Sequence, residues 1–153
     1  MIEVRTMNTE EYRHYSLFSF EHFISELALS SGQDPETIRS KHGAMPESPS
    51  ANDLWLVISR RDQNIGFLWV QIRPELREAF GFDLYLDEAF RSKGIGREVM
   101  LQCSERIKTR GVDKVKICVF QENTVARKLY SSLGFVETEY NAERKQYSLE
   151  KTL

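Results

Sequence analysis

Six consecutive residues, Arg91-Ser92-Lys93-Gly94-Ile95-Gly96, carry the clearest chemical signal in the chain. They stand between an apolar, aromatic run ending at Leu86 and an amphipathic pattern beginning at Ile95. A strand that passes through a glycine-bearing turn into a helix makes an anion site. The first N–H groups of the helix lack backbone partners, and its dipole puts partial positive charge there. Gly94 and Gly96 let backbone close in on a ligand, and Arg91 and Lys93 add full charges. The inference from these residues alone is a phosphate or pyrophosphate cradle. The spacing is neither the triphosphate-binding G-x-x-x-x-G-K-[ST] nor the dinucleotide G-x-G-x-x-G, since Val99 stands where the third glycine would be.

A second pattern lies downstream: Asn123-x-x-Ala126-x-x-x-Tyr130-x-x-x-Gly134-Phe135. Together with Arg91-x-x-Gly94-x-Gly96 it resembles the acyl-CoA signature of the GCN5-related N-acetyltransferases, the GNAT superfamily. The two halves stand in the family's order, separated by a helix and a strand of suitable length. Gly66-Phe67-Leu68-Trp69 is similar to a group of small bacterial members with a Trp late in the third strand.

The resemblance implies acetyl-CoA as acyl donor, direct transfer to a primary amine of a small molecule or peptide, no metal, and a homodimer as a common assembly. It also implies residue roles. Arg91, Ser92, Lys93, Gly94, Ile95, Gly96 and Arg97 would hold the pyrophosphate. Leu84, Tyr85 and Leu86 would offer backbone groups to the pantetheine arm, with one N–H of Leu84 or Tyr85 facing the thioester oxygen. Asn123 and Ala126 would complete the cofactor wall, and Tyr130 would donate to the departing thiolate.

The general base has no clear signature. The position where some relatives carry a glutamate holds Phe80 here. Glu78, two residues earlier, has the same strand parity, and Asp83 has opposite parity unless a bulge reverses it. Glu78 is the base expected. Ser92 replaces a common glycine, which it can do at negative φ. A non-catalytic acyl-CoA-binding module or sensor, and a regulator binding another phosphate on the glycine loop, are the alternatives.

These residues need elements to place them. Ile2 to Met7 reads as a strand. Asn8 and Glu11 form a capping box for a helix with apolar positions from Tyr12 to Ala28, stopped by Gly32. Asp34-Pro35 starts a second helix, ended by Gly43. Ala44 to Asn52, with two prolines, reads as loop. Leu54–Arg60 and Ile65–Arg73 form a hairpin across Arg61 to Asn64. Phe80–Leu86 is the fourth strand, and the helix from Ile95 presents Val99, Met100, Cys103 and Ile107 on one side. Lys114–Phe120 alternates apolar and polar residues. Asn123 caps a helix with Val125, Ala126, Leu129, Tyr130 and Leu133 inward. Phe135–Glu139 and Lys145–Glu150 close as a hairpin. The order β-α-α-β-β-β-α-β-α-β-β predicts a single α/β domain over 1–153, with a mixed β-sheet flanked by helices on both faces.

Composition agrees. A chain of 153 residues with 41% hydrophobic side chains suits one core. A net charge of −2 gives no bulk attraction to nucleic acid or membrane. Met1 leads into Ile2-Glu3-Val4-Arg5 with no basic-then-apolar leader, so a signal peptide is not expected. Cys103 and Cys118, far apart, read as reduced, buried thiols, which with the missing leader predicts a cytoplasmic protein. His14, His22 and His42 lack ligand spacing and read as structural or surface residues.

Overall fold

The computed structural model describes residues 1–153. The chain runs β1 (Ile2–Thr6), α1 (Thr9–Ser31), α2 (Pro35–His42), β2 (Asp53–Arg60), β3 (Gln63–Arg73), β4 (Glu78–Leu86), α3 (Ile95–Lys108), β5 (Lys114–Phe120), α4 (Thr124–Ser132), β6 (Val136–Asn141) and β7 (Gln146–Thr152). The expected element order is the observed one. Seven strands form one sheet in the order β1-β2-β3-β4-β5-β7-β6, antiparallel except for β4 beside β5. The α/β class with a mixed sheet and helices on both faces is therefore the fold.

Local chemistry sets the boundaries. Asn8 accepts from the Glu11 N–H while the Glu11 carboxylate accepts from the Asn8 N–H, and Gly32 stops α1 at φ 74°. Asp34 and Asn123 cap α2 and α4 with their side chains. The β2–β3 hairpin is tighter than expected. Arg61 and Asp62 alone turn the chain, both at positive φ, as a strand-matching two-residue turn requires, and β3 starts at Gln63. β4 also starts earlier, at Glu78.

The main core lies between the sheet and α3, where Leu56, Ile58, Leu68 and Val70 meet Val99, Cys103 and Ile107. On the opposite face α1 lays Tyr12, Tyr15 and Phe18 over Trp55, Phe67 and Trp69. Each face thus owns an apolar layer of its own, as a three-layer α/β domain demands. Val125, expected inside, is 69% exposed. No helix is long and apolar enough to cross a membrane.

Two irregularities in the sheet prepare the site. β4 and β5 pair only from Glu78/Lys114 to Gly81/Ile117, yet both strands continue beyond, so they part toward their C-terminal ends. Opposite this gap β4 carries a bulge: Val70 pairs with Gly81 and Trp69 with Asp83, leaving Phe82 as the extra residue.

Candidate active site

The α3 N-terminus is the first component. Gly94 sits at φ 79° and offers no side-chain cap, so the leading N–H groups of α3 have no partner from the residue that precedes them. Every other α-helix in the chain has an Asn or Asp side chain in that role. Ser92 adopts φ 59° rather than the negative φ expected of it. Two left-handed residues in three turn successive N–H groups toward one concavity, the geometry of an anion nest. The left-handed turn shapes a concavity at the residues that the sequence reading assigned to a cradle.

Gly96 has a different role from Gly94. A Cβ there would stand 3.2 Å from the Leu129 side chain, so Gly96 lets α4 pack against α3, whereas a Cβ on Gly94 would meet nothing. Arg91 donates through Nε to the Leu86 carbonyl at 2.8 Å and lies over the Tyr85 ring at 5.2 Å, which ties the end of β4 to the loop. Arg97 donates to Ser132 at 2.5 Å. Arg127 is engaged by Glu137 and the Tyr147 ring, so it braces the β6–β7 hairpin.

The gap between β4 and β5 opens into a cavity of about 470 Å³. Its walls come from both faces of the sheet: Leu84, Met100 and Ala126 on the α3 side, Ser19, His22 and Asp83 on the α1 side. It is a passage through the sheet. Asn123 and Tyr130 reach it from the start and middle of α4, and Asn123 also caps that helix through Ala126 N–H at 3.1 Å. Burial and the neighbouring Asp83 push the Tyr130 hydroxyl up to about 12. It therefore stays protonated near neutral pH and keeps a hydrogen to donate.

Asp83 is the β4 acid that lines the passage. Beyond the bulge its side chain shares a face with Trp69 instead of following Ala79 and Gly81. The Ser19 hydroxyl donates to it at 2.7 Å. Burial raises its pKa above the usual carboxylate range, with the Ser19 hydroxyl and His22 offsetting part of the rise.

Glu78 is elsewhere. It is buried at the start of β4 between Arg73 at 3.3 Å and Lys116 at 3.5 Å, and it does not line the cavity. Strand parity alone could not show the two cations beside Glu78, which come from β3 and β5. The bulge that brings Asp83 round depends on pairing with β3.

Further residues escaped the sequence reading. His22 and His42 line the passage, as do Glu26 and Arg144. Cys118, expected buried, is exposed and also lines it, whereas Cys103 is buried and its thiol is pushed up to about 11. Only the helical spacing of Ser19, His22, Phe23 and Glu26 hinted that one face of α1 looks into a site. No cluster of His, Cys, Asp and Glu could hold a metal ion.

Comparison with known proteins places this architecture. The acetyltransferase (GNAT) family matches residues 11–135. YycN of Bacillus subtilis (strain 168), an uncharacterised N-acetyltransferase, is 30% identical over 94% of this chain and 98% of its own. The YycN crystal structure superposes with a TM-score of 0.79 at 25% identity, covering 92% of this chain and 96% of that one. PaiA N-acetyltransferase from Thermoplasma acidophilum, solved with coenzyme A, shares the fold at a TM-score of 0.69 and 19% identity, covering 100% and 99% of the two chains. The chain belongs to the GCN5-related N-acetyltransferase (GNAT) family and is an acetyl-CoA-dependent N-acetyltransferase.

Proposed function

We propose that the bare N-terminus of α3 takes the pyrophosphate of acetyl-CoA, that Asp83 removes the proton of the acceptor amine, and that Tyr130 serves the departing thiolate. The observation that carries this reading is the convergence of Asp83 and Tyr130 on one passage between the parted strands β4 and β5, in a fold that leaves the start of α3 uncapped. In it, the segment Arg91 to Arg97 is the cradle, and Leu84, Tyr85 and Leu86 line the path of the acyl arm, with Asn123 and Ala126 opposite.

The roles follow from charge and geometry. An amine attacks only as the free base, and a carboxylate made more basic by burial accepts its proton more readily than a solvated one. As the C–N bond forms, the C–S bond breaks and its electron pair leaves on sulfur. A phenol near 12 lies above an ordinary thiol at about 8.5, so its contribution is a hydrogen bond to the developing thiolate. The second amine proton ends on the sulfur. A backbone N–H at the bulge, from Leu84 or Tyr85, takes the oxyanion. Glu78 drops out because its two cations already neutralise it and it lies off the passage.

Thiol release from acetyl-CoA with a panel of primary amines tests the assignment. Asp83→Asn should lower kcat by about 10²–10⁴-fold with acetyl-CoA affinity retained. Glu78→Gln should keep the wild-type pH–rate profile. The reverse pattern would return the base to Glu78.

A further inference from the structure

The α1 side of the passage has a polarity along its length. Asp83 stands at the Ser19 end of α1, and a second acid, Glu26, lies further along the same helix. The only strong cation lining the passage is Arg144, in the turn between β6 and β7. Its backbone N–H and carbonyl are bonded to Asn141 and to the Ser30 hydroxyl, whereas its guanidinium has no acidic partner in the fold. The same lining includes five phenylalanines: Phe20, Phe23, Phe80, Phe82 and Phe120. Phe82 is 42% exposed, stacks at 4.3 Å on Trp69 and meets the tilted Phe80 ring at 4.7 Å.

Helix α1 serves as a ruler across this side. Ser19 holds Asp83, and Ser30 holds the backbone of Arg144. The eleven steps from Ser19 to Ser30 rise about 16 Å at 1.5 Å each. Asp83 and the Arg144 backbone are thus pinned to one helix about 16 Å apart along its axis, and both residues line the same passage.

We infer that the acceptor is a short apolar or aromatic peptide of about two to four residues, bound with its α-ammonium at Asp83 and its terminal carboxylate on Arg144. This rests on the active-site reading above. An extended residue spans about 3.3–3.6 Å, so two to four residues fit within that length. A free amino acid is too short to reach both ends. A polyamine would bring a second cation against Arg144. The amino terminus of a long chain would pass Arg144 with no carboxylate to offer.

The test is a length series: phenylalanine, Ala-Phe, Ala-Phe-Ala and Ala-Phe-Ala-Ala, each as free acid and as C-terminal amide, with phenethylamine and spermidine beside them. The amides stand in for a continuing chain. Expected are a maximum in kcat/KM at two to four residues and a preference for free acid over amide of about tenfold or more, the size of a charge-assisted bond. Arg144→Gln should bring the acid-to-amide ratio to about one. That ratio is internal to each variant, so a general loss of folding cannot imitate the result. Equal rates for acid and amide in the wild type, spermidine or phenylalanine as the best acceptor, or an unchanged ratio in Arg144→Gln would each overturn the inference. Turnover confined to phenethylamine or spermidine would sink the peptide assignment alone. No turnover with any of these amines would sink the active-site reading with it.

Discussion

The N-termini of α1 and α3 answer the same physical problem in opposite ways. Both begin with N–H groups that have no intrahelical partner. At α1 the protein closes the end itself. The Asn8 side chain takes the Glu11 N–H at 2.8 Å, and Glu11 returns the bond to the Asn8 N–H at 2.9 Å. Arg5 then grips the same carboxylate through two nitrogens at 2.9 and 2.8 Å, and Asn64 adds a fourth donor. At α3 the capping position is glycine and the charged residues just before it, Arg91 and Lys93, are basic. One end carries its own anion and is finished. The other is left open, and in the proposed function it receives one. The difference teaches that an uncapped helix end, in a chain that caps its other helices, is a binding feature, because leaving those donors bare gains the fold nothing.

The largest expected effect breaks the open end. Gly94→Asp places a carboxylate where the ligand's charge should sit, in open space and in a left-handed conformation that aspartate tolerates better than most residues. Acetyl-CoA affinity should fall by about 100-fold or more, read by calorimetry, with the melting temperature nearly unchanged. Unaltered affinity would remove the cradle.

Tyr130→Phe asks what a capped helix adds to an uncapped one. It should lower kcat by about 10–150-fold, the value of one hydrogen bond to a charged atom, while acetyl-CoA affinity holds. With the phenol near 12, the shape of the pH–rate profile between 6 and 9 should not change.

At the closed end, Glu11→Gln should cost about 1 kcal/mol at pH 7, modest because Arg5 is half exposed, and leave acetyl-CoA affinity alone. The sign of its pH dependence is fixed. Glu11 is held down to about 2 by Arg5, the Asn8 N–H and Asn64, below its ordinary value of about 4.3, so its stabilisation is complete above that value. It drains away as pH falls toward 2. Wild type and Glu11→Gln should therefore converge in melting temperature at acid pH and separate to a constant difference near neutrality. A constant difference across the whole range would show that the ion pair is not the source.

The smallest effect sharpens the contrast. Asn123→Ala removes the cap of α4 at a cost of about 1 kcal/mol, and kcat should drop only severalfold as Tyr130 loosens. A fall as large as that of Tyr130→Phe would give Asn123 a direct role on the acyl arm.

Much of this was legible residue by residue. Caps, turns and the cradle are written within three or four positions of one another, because the hydrogen bonds that define them span no more than one helical turn. Asn8, Asp34, Asn123 and Gly94 could be assigned on that basis. Tyr130 was legible too, through its fixed offset from Asn123 along one helix. Ser92 was half legible: the loop was plain, but the sign of its φ depends on how the loop meets α3.

The amino-acid sequence by itself determined the order of the elements, the α/β class, the open end of α3 and the helix that carries Tyr130, since each rests on periodicity or on contacts local in the chain. The tertiary structure alone decided which of the two β4 carboxylates lines the passage. Asp83 turns inward because β3 pairs on both sides of Phe82 and forces a bulge, and Glu78 is neutralised by Arg73 and Lys116 from the two neighbouring strands. It also decided that His22, Glu26 and Arg144 share one passage, by laying α1 across the parted strands from Asp83 to the β6–β7 turn. Side-chain direction on a strand has a period of two, so a single inserted residue reverses it, and that insertion is set by a partner strand rather than by the residues themselves.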